Sequence, residues 1–440
     1  MSNVVIAALM MAATLLFIVI RVPIGAAMFV AGAGGYWAMA GDAALLSFIK
    51  GLLWASLSIP DLSVIPLFLL MGEFASIAGF SRALFGAANT LVGHRKGGIA
   101  MAAILASATF GAICGSSVAT TATVSRIALP QMQRLKYSDR LATGTLAVGG
   151  TLGILVPPSI ILIIYAVLAE QSIAKLFAAA MIPGIMSVVG YCVVIAIIVR
   201  LFPDLAPTAE RANRHHRFKA VAEAWPIVAI FLGMFVGIYG GYFTPTEGAA
   251  VAVVATMLLG LVRRTLGWKA IVNSVLPVAR SAGMIFLILI GAGMLNGALA
   301  ISQIPANAAQ WAQQLQIHPV MLLAMFLVVF ALLTCVLDEL AMMLLLLPIL
   351  LPIVFELDLY GLTSEHKAIW FGILMLSVVA FGLLAPPIGL NVYVVRTVAT
   401  AVPVGEIYRG ILPFLLWDII KIVLLLVFPA LALTALQIVQ

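Results

Sequence analysis

Charge is what this sequence has least of: Asp, Glu, Lys and Arg together make up 9% of 440 residues. A water-soluble domain of that length could not cover its surface with so few charges. Cysteine is nearly absent too. Cys114, Cys192 and Cys335 stand singly in apolar surroundings, which leaves no disulfide framework or metal-site spacing and makes them small buried residues. The sequence has no Walker A loop, His-Glu-x-x-His, Gly-x-Ser-x-Gly or dinucleotide fingerprint. Enzymatic chemistry is therefore not legible, no cofactor is implied, and the energy source expected is an ion gradient. No basic residue precedes the first apolar run, so the N-terminus does not read as a cleaved signal peptide.

What is present is apolar: 64% of residues are hydrophobic, and the mean hydropathy is +1.22. Runs at 4–20, 183–200, 282–301 and 414–436 reach or approach the roughly 20 residues that span a bilayer core. The chain reads as an all-α polytopic membrane protein, and its net charge of +7 reads as topology, because basic residues collect on cytoplasmic loops.

Two segments break the apolar pattern in the same way. Gly-Ile-Leu-Val-Pro-Pro-Ser at Gly153–Ser159 returns as Gly-Leu-Leu-Ala-Pro-Pro-Ile at Gly382–Ile388. Paired prolines remove backbone donors and push the preceding residue out of helical geometry, so each copy should break its helix within the membrane. Broken backbone survives there only inside protein, and its freed carbonyls are ready cation ligands.

A Lys/Arg-rich linker at 201–220 divides the chain into halves, 1–200 and 221–440. Each half reads in one order. Three scaffold spans come first, within 4–80 and 221–300 (near 4–20, 22–40 and 62–80; then 221–240, 246–263 and 276–300). An amphipathic arm follows (81–96; 302–317), then an interrupted apolar segment (97–133; 318–356). The Pro-Pro-broken helix comes next (140–168; 366–399), and an unbroken span closes the half (173–200; 409–437). If each interrupted segment is a re-entrant hairpin, each half makes five crossings, and an odd number inverts the second half relative to the first. With the linker in the cytoplasm and both termini outside, 16 of the 23 basic residues fall on the cytoplasmic side, and only Lys50, Lys175 and Lys367 fall outside.

The first hairpin should turn at Gly115-Ser116-Ser117, with Thr120 in the turn that follows. Hydroxyls and an exposed helix start suit a small cation or a carboxylate. Without its neighbours this stretch would read as ordinary small-residue helix packing; lying one hairpin before Pro157-Pro158, it reads as a site. The second hairpin should turn between Thr334 and Glu339. Asp338 there is a candidate ligand, because an acid at membrane depth is costly unless paired or hydrated. Matching the tips sets Ser116 opposite Asp338, whereas matching Pro130 to Pro348 sets it opposite Thr334. Thr244–Glu247 reads as a capping box, and Asp418 and Lys421, three apart on one helix, as a pair. Glu73 reads as a scaffold residue. Arg126 reads as a snorkelling cation or, alternatively, a substrate contact.

The ordered set Gly115–Thr120, Ile154–Ser159, Ser172–Phe177 with Ile182-Pro183-Gly184, Phe243–Ala250 and Ala385–Asn391 closely resembles the large membrane subunit of tripartite ATP-independent periplasmic (TRAP) transporters. The resemblance covers essentially the whole chain. It implies a bacterial inner-membrane, sodium-coupled importer of organic acids such as C4-dicarboxylates or sialic acid. It also implies an elevator mechanism of the ion transporter superfamily, in which hairpins and broken helices move against a static scaffold. Two partners are implied: a soluble periplasmic substrate-binding protein and a small four-helix membrane subunit. The small subunit is expected as a separate polypeptide, since no extension carries it here. The alternative is a self-sufficient sodium/dicarboxylate symporter of related fold. Carried over residue by residue, one sodium site uses Ser116 and Ser117 with carbonyls of Gly153, Val156 and Pro158. The other uses Thr334 and Asp338 with carbonyls of Gly382, Ala385 and Pro387. Substrate is implied near Ser116, Ser117, Thr120, Ser159 and Asn391. Two departures stand out: an Asp338-Glu339 tip opposite Ser-Ser, and Ser125-Arg126 where small residues are expected.

Overall fold

The computed structural model describes residues 2–208, 213–314, 317–335 and 339–438. Among them every regular element is a helix, and nine helical stretches are long and apolar enough to span a bilayer. This all-α, polytopic outcome is what the composition requires: in hydrocarbon each backbone N–H and C=O must be satisfied within its own helix.

The first half begins with α1 (Asn3–Val19), α2 (Ile24–Ala40), α3 (Asp42–Leu57) and α4 (Val64–Ile77). The arm is α5 (Phe80–Val92). The hairpin is α6 (Gly98–Cys114) and α7 (Ser117–Arg134), the broken helix α8 (Asp139–Leu155) and α9 (Ile160–Leu168), and the closing span α10 (Ile173–Leu201). The second half runs α11 (Arg214–Tyr239), α12 (Pro245–Val262) and α13 (Trp268–Ser302), then the arm α14 (Ile304–Gln314). Its hairpin is α15 (Pro319–Thr334) and α16 (Glu339–Glu356). Its broken helix is α17 (Ser364–Gly382) and α18 (Leu390–Val398), and it closes with α19 (Val404–Val427) and a short α20 (Ala430–Leu433).

Two expectations need correction. Residues 42–57 form a helix, α3, that the expected spans do not include: at 16 residues with Asp42 and Lys50 it is short and polar for a span, and none of its residues is buried. The final span is not unbroken to 437. It stops at Val427, because Pro429 cannot supply the donor that would continue the helix. Two local readings hold. Thr244 and Glu247 make the reciprocal capping box, with Pro245 in the first turn. Asp418 and Lys421 pair at 2.8 Å with both side chains fully buried.

The broken helices form the core. Leu141 to Leu155 of α8 is continuously buried, as is nearly all of α17 from Lys367 to Gly382. The helices that lead into the breaks, and the first break itself, are thus enclosed in protein, the condition under which a membrane tolerates irregular backbone, whereas the second break is exposed at 386–388. Lys367, buried near the N-terminal end of α17, donates to the carbonyls of Phe355 (3.0 Å) and Leu357 (2.6 Å). It satisfies the carbonyl end of α16 and complements that helix's dipole. Around the core, α2 packs on α13, and α12 on α4. Glycine allows the first contact: a Cβ on Gly25 would lie 2.6 Å from the Leu287 carbonyl carbon, and one on Gly32 2.8 Å from the Leu295 nitrogen.

Candidate functional site

In the first hairpin the chain turns between α6 and α7, which pack on one another. Gly115, at φ +63°, ends α6 in the left-handed conformation that favours glycine. Ser116 then caps α7, its Oγ accepting from the Ala119 N–H at 3.4 Å. The Thr120 hydroxyl donates back to the Ser116 carbonyl at 2.7 Å, and Thr121 to the Ser117 carbonyl at 2.8 Å. In the second hairpin α15 ends at Thr334, and α16 begins with half-buried Glu339. Asp338 lies outside the described residues. α7 and α16 both have 18 residues, with Pro130 and Pro352 at the fourteenth place of each. The equal lengths favour the alignment that matches the tips, Ser116 with Asp338, over the one built on Pro348.

The helix breaks fall where the prolines put them. α8 stops at Leu155 and α9 starts at Ile160, with Ser159 as N-cap accepting from Leu162 N–H at 3.4 Å. α17 stops at Gly382 and α18 starts at Leu390 behind Gly389, at φ +58°. Both proline pairs, Pro157-Pro158 and Pro386-Pro387, are cis. Since proline has no N–H, the carbonyls of Gly153, Ile154 and Gly382 lose the helical donor four residues ahead. That of Leu383 accepts instead from the Asn391 N–H at 3.1 Å.

Glycine brings each hairpin against its break. A Cβ on Gly153 would lie 2.9 Å from the Ser116 carbonyl oxygen and 2.9 Å from Thr120 Oγ1, while one on Gly115 would lie 3.5 Å from the Pro158 carbonyl oxygen. In the second half a Cβ on Gly382 would strike the Thr334 side chain, with its Cβ 2.6 Å away. Gly153 and Gly382 hold the same place, four residues before the proline pair. The scaffold reaches the first tip at Gly72 of α4, where a Cβ would be 3.0 Å from Cys114 Cα.

The two halves meet at Asn391. Its Nδ2 donates to Ser117 Oγ (2.7 Å) and to the Ala147 carbonyl (3.3 Å), and its Oδ1 accepts from Ser117 Oγ (3.0 Å). These side chains are 274 positions apart and fully buried. Ser116, Ser117, Thr120, Gly153, Pro158 and Asn391 are therefore gathered in one place, at the N-terminal ends of α7 and α18, whose partial positive charge suits an anion. Ser159 is buried nearby in sequence at the first break. Arg126 lies exposed, about two and a half turns beyond Ser117 along α7.

The two breaks differ in cover. Val156 is half-buried and Pro157 and Pro158 are buried, whereas Ala385 is buried but Pro386, Pro387 and Ile388 are exposed. Tyr408, which sequence reasoning missed, donates its hydroxyl to the carbonyls of Pro387 (3.1 Å) and Ile388 (2.7 Å). The Pro387 carbonyl thus already has one partner. No local signal announces that contact, since Tyr408 reaches it from another helix. A separate cavity of about 910 Å³ lies between α13, α14 and the far end of α16, lined by Asn296, Gln303 and Pro352 among others.

Comparison with known proteins agrees with this architecture. Residues 10–431 match the family described as the tripartite ATP-independent periplasmic transporter, DctM component. The C4-dicarboxylate TRAP transporter large permease protein DctM of Pseudomonas aeruginosa is 36% identical over 376 residues, covering 84% of this chain and 85% of that one. The sialic acid TRAP transporter large permease protein SiaM of Vibrio cholerae is 31% identical over 369 residues, covering 84% of each. Among solved structures, the Alcanivorax borkumensis YdaH transporter superposes with a TM-score of 0.62 at 17% identity, over 88% of this chain and 89% of that one, a likeness of fold.

Proposed function

Because this chain belongs to the DctM-component family of tripartite ATP-independent periplasmic transporters, we propose that it is the large permease subunit of a sodium-coupled importer of a carboxylate. The observation that carries the reading is the packing of the Gly115–Thr120 tip against the first Pro-Pro break and of Thr334 against Gly382 before the second, with Asn391 bridging the halves at Ser117. Cation sites would use Ser116 and Ser117 with the Gly153, Val156 and Pro158 carbonyls, and the Thr334–Asp338 tip with the Gly382, Ala385 and Pro387 carbonyls. Hard oxygen donors of this kind suit sodium. The carboxylate would lie against Ser117, Thr120, Ser159 and Asn391, between helix N-termini. Relatives with C4-dicarboxylate and sialic acid in their names support that substrate class.

We read the halves as inverted repeats, with the hairpins and broken helices moving together past α1–α4 and α11–α13. Three exchanges support this. α2 meets α13 as α12 meets α4, and α19 meets α8 as α10 meets α17. An ion pair joins the start of each closing span to the start of the other half's broken helix: Lys175 with Glu365, and Glu406 with Arg140. In this reading the protein lies in a bacterial inner membrane, with the linker cytoplasmic, both termini periplasmic, and a small membrane subunit and a periplasmic binding protein as partners.

The test is reconstitution in proteoliposomes. Uptake of a labelled C4-dicarboxylate or sialic acid is expected only with an inward sodium gradient, the small subunit and the loaded binding protein together. Sodium-independent uptake of free substrate by this chain alone would overturn the proposal. Sodium-driven uptake by the chain alone would favour the self-sufficient symporter.

A further inference from the structure

The Asp418–Lys421 pair has no solvent exposure, and two opposite charges buried that deeply are costly unless every remaining donor and acceptor is met. Here the first half of the chain supplies partners to both charges. The Asp418 carboxylate accepts from Tyr191 Oη at 2.8 and 3.0 Å and from Lys421 Nζ at 2.8 Å. Lys421 Nζ donates onward to Ser187 Oγ at 3.1 Å, and Ser187 to the Pro183 carbonyl at 2.9 Å. Tyr191 Oη also lies 3.4 Å from Thr151 Oγ1, on α8 two residues before Gly153.

Two lines run from this network to the first break. One passes through Thr151 into the last turn of α8. The other passes through α10: at Gly184, three residues before Ser187, a Cβ would be 3.2 Å from the Leu155 carbonyl oxygen and 3.6 Å from Val156 Cα. α10 is thus a close-fitting wall behind the interrupted backbone, and the ion pair on α19 fixes where that wall stands. Counted from Pro183 and Pro413, α10 has Val188 and Tyr191 where α19 has Asp418 and Lys421. The charges therefore come from one half and bear on the break of the other.

We propose that Tyr191, held by Asp418 and Lys421, is a positioning residue for the cation site at the first Pro-Pro break: it sets the end of α8 so that the Gly153 carbonyl meets the Ser116–Ser117 tip. This rests on the sodium reading above. Coordinating carbonyls act through their orientation, so a slack last turn should weaken ion binding without unfolding the protein.

Sodium alone is the probe. The thermal unfolding midpoint of the purified chain is followed against NaCl, balanced with choline chloride, for wild type, Tyr191→Phe, Thr151→Val, the double variant and Ser377→Ala. Ser377 is a buried hydroxyl on α17 whose bond, among the described residues, is to its own helix at the Ile373 carbonyl. Wild type and Ser377→Ala should be stabilised with the same half-effective sodium concentration. Tyr191→Phe and Thr151→Val should each raise it about fivefold, since each removes the Tyr191–Thr151 contact together with one of the bonds that hold it, to Asp418 or to the Val148 carbonyl. The double variant should raise it no further, as coupled neighbours do. A purely structural role would lower the midpoint at every sodium concentration and leave the half-effective concentration in place, which overturns the inference. Absence of any sodium-specific stabilisation in wild type would overturn both this inference and the coupling it rests on.

Discussion

Replacing Gly153 by alanine is expected to cut uptake by the assembled transporter at least about tenfold while the protein still inserts and purifies. The added methyl would sit 2.9 Å from the Ser116 carbonyl oxygen, 2.9 Å from Thr120 Oγ1 and 3.1 Å from the Ser116 carbonyl carbon. Two of those three are backbone atoms at a helix start and cannot swing away. On the same side a Cβ on Gly111 would lie 2.7 Å from Gly153 Cα, so both hairpin helices are already at closest approach to α8. Overpacking of this kind costs about 1–3 kcal/mol. Here it would be relieved by lifting the tip from the break, which separates the groups proposed to share a cation. Gly283→Ala on α13, where nothing lies within 4 Å of the new methyl, is the matched control and should transport normally. The check is initial uptake rate per mole of chain in the membrane. Equal rates for the two variants would contradict the role given to the first break.

The second large effect is expected at Asn391. Its amide nitrogen serves two acceptors, Ser117 Oγ and the Ala147 carbonyl. Asn391→Asp keeps the shape but replaces both donors with a buried negative oxygen. A buried acceptor left facing another costs about 1–3 kcal/mol, more for a charge, and an anion beside the proposed carboxylate site repels the substrate as well. Uptake should fall by about ten- to a hundredfold, with a rise in the KM for loaded binding protein. Ser117→Ala, which leaves the Asn391 donor to Ala147, should be milder. If Asn391 only restarts a helix, the aspartate would be tolerated and the KM would not move.

The parts of the fold fixed by local chemistry were legible in the sequence. Prolines and glycines stop helices by removing donors or allowing positive φ, so the hairpins and both breaks fall within a few residues of where Gly115, Pro157-Pro158 and Pro386-Pro387 place them. The capping box and the Asp418–Lys421 pair were legible for the same reason, since each is a contact within one turn of helix. What depends on distant packing was not. The family resemblance implies Ser117 and Asn391 as substrate contacts, yet nothing in either motif says that they bind each other across 274 positions. Tyr408 and Tyr191 carry no motif at all, and their roles come from the carbonyls and the carboxylate that other helices bring to them. α3 escaped notice because a helix that buries none of its residues leaves no core-facing stripe to read. The register of the second tip is not set by local sequence; the equal lengths of α7 and α16 favour matching Ser116 with Asp338.

The central claim is that each hairpin and its Pro-Pro break form a cation site. Density maps of the purified chain prepared in sodium and in choline test it most directly. Sodium-dependent density is expected between the Ser116–Ser117 tip and the Gly153 carbonyl, and a second between the Thr334–Asp338 tip and the Gly382 carbonyl. Identical maps at both places in the two salts would contradict it.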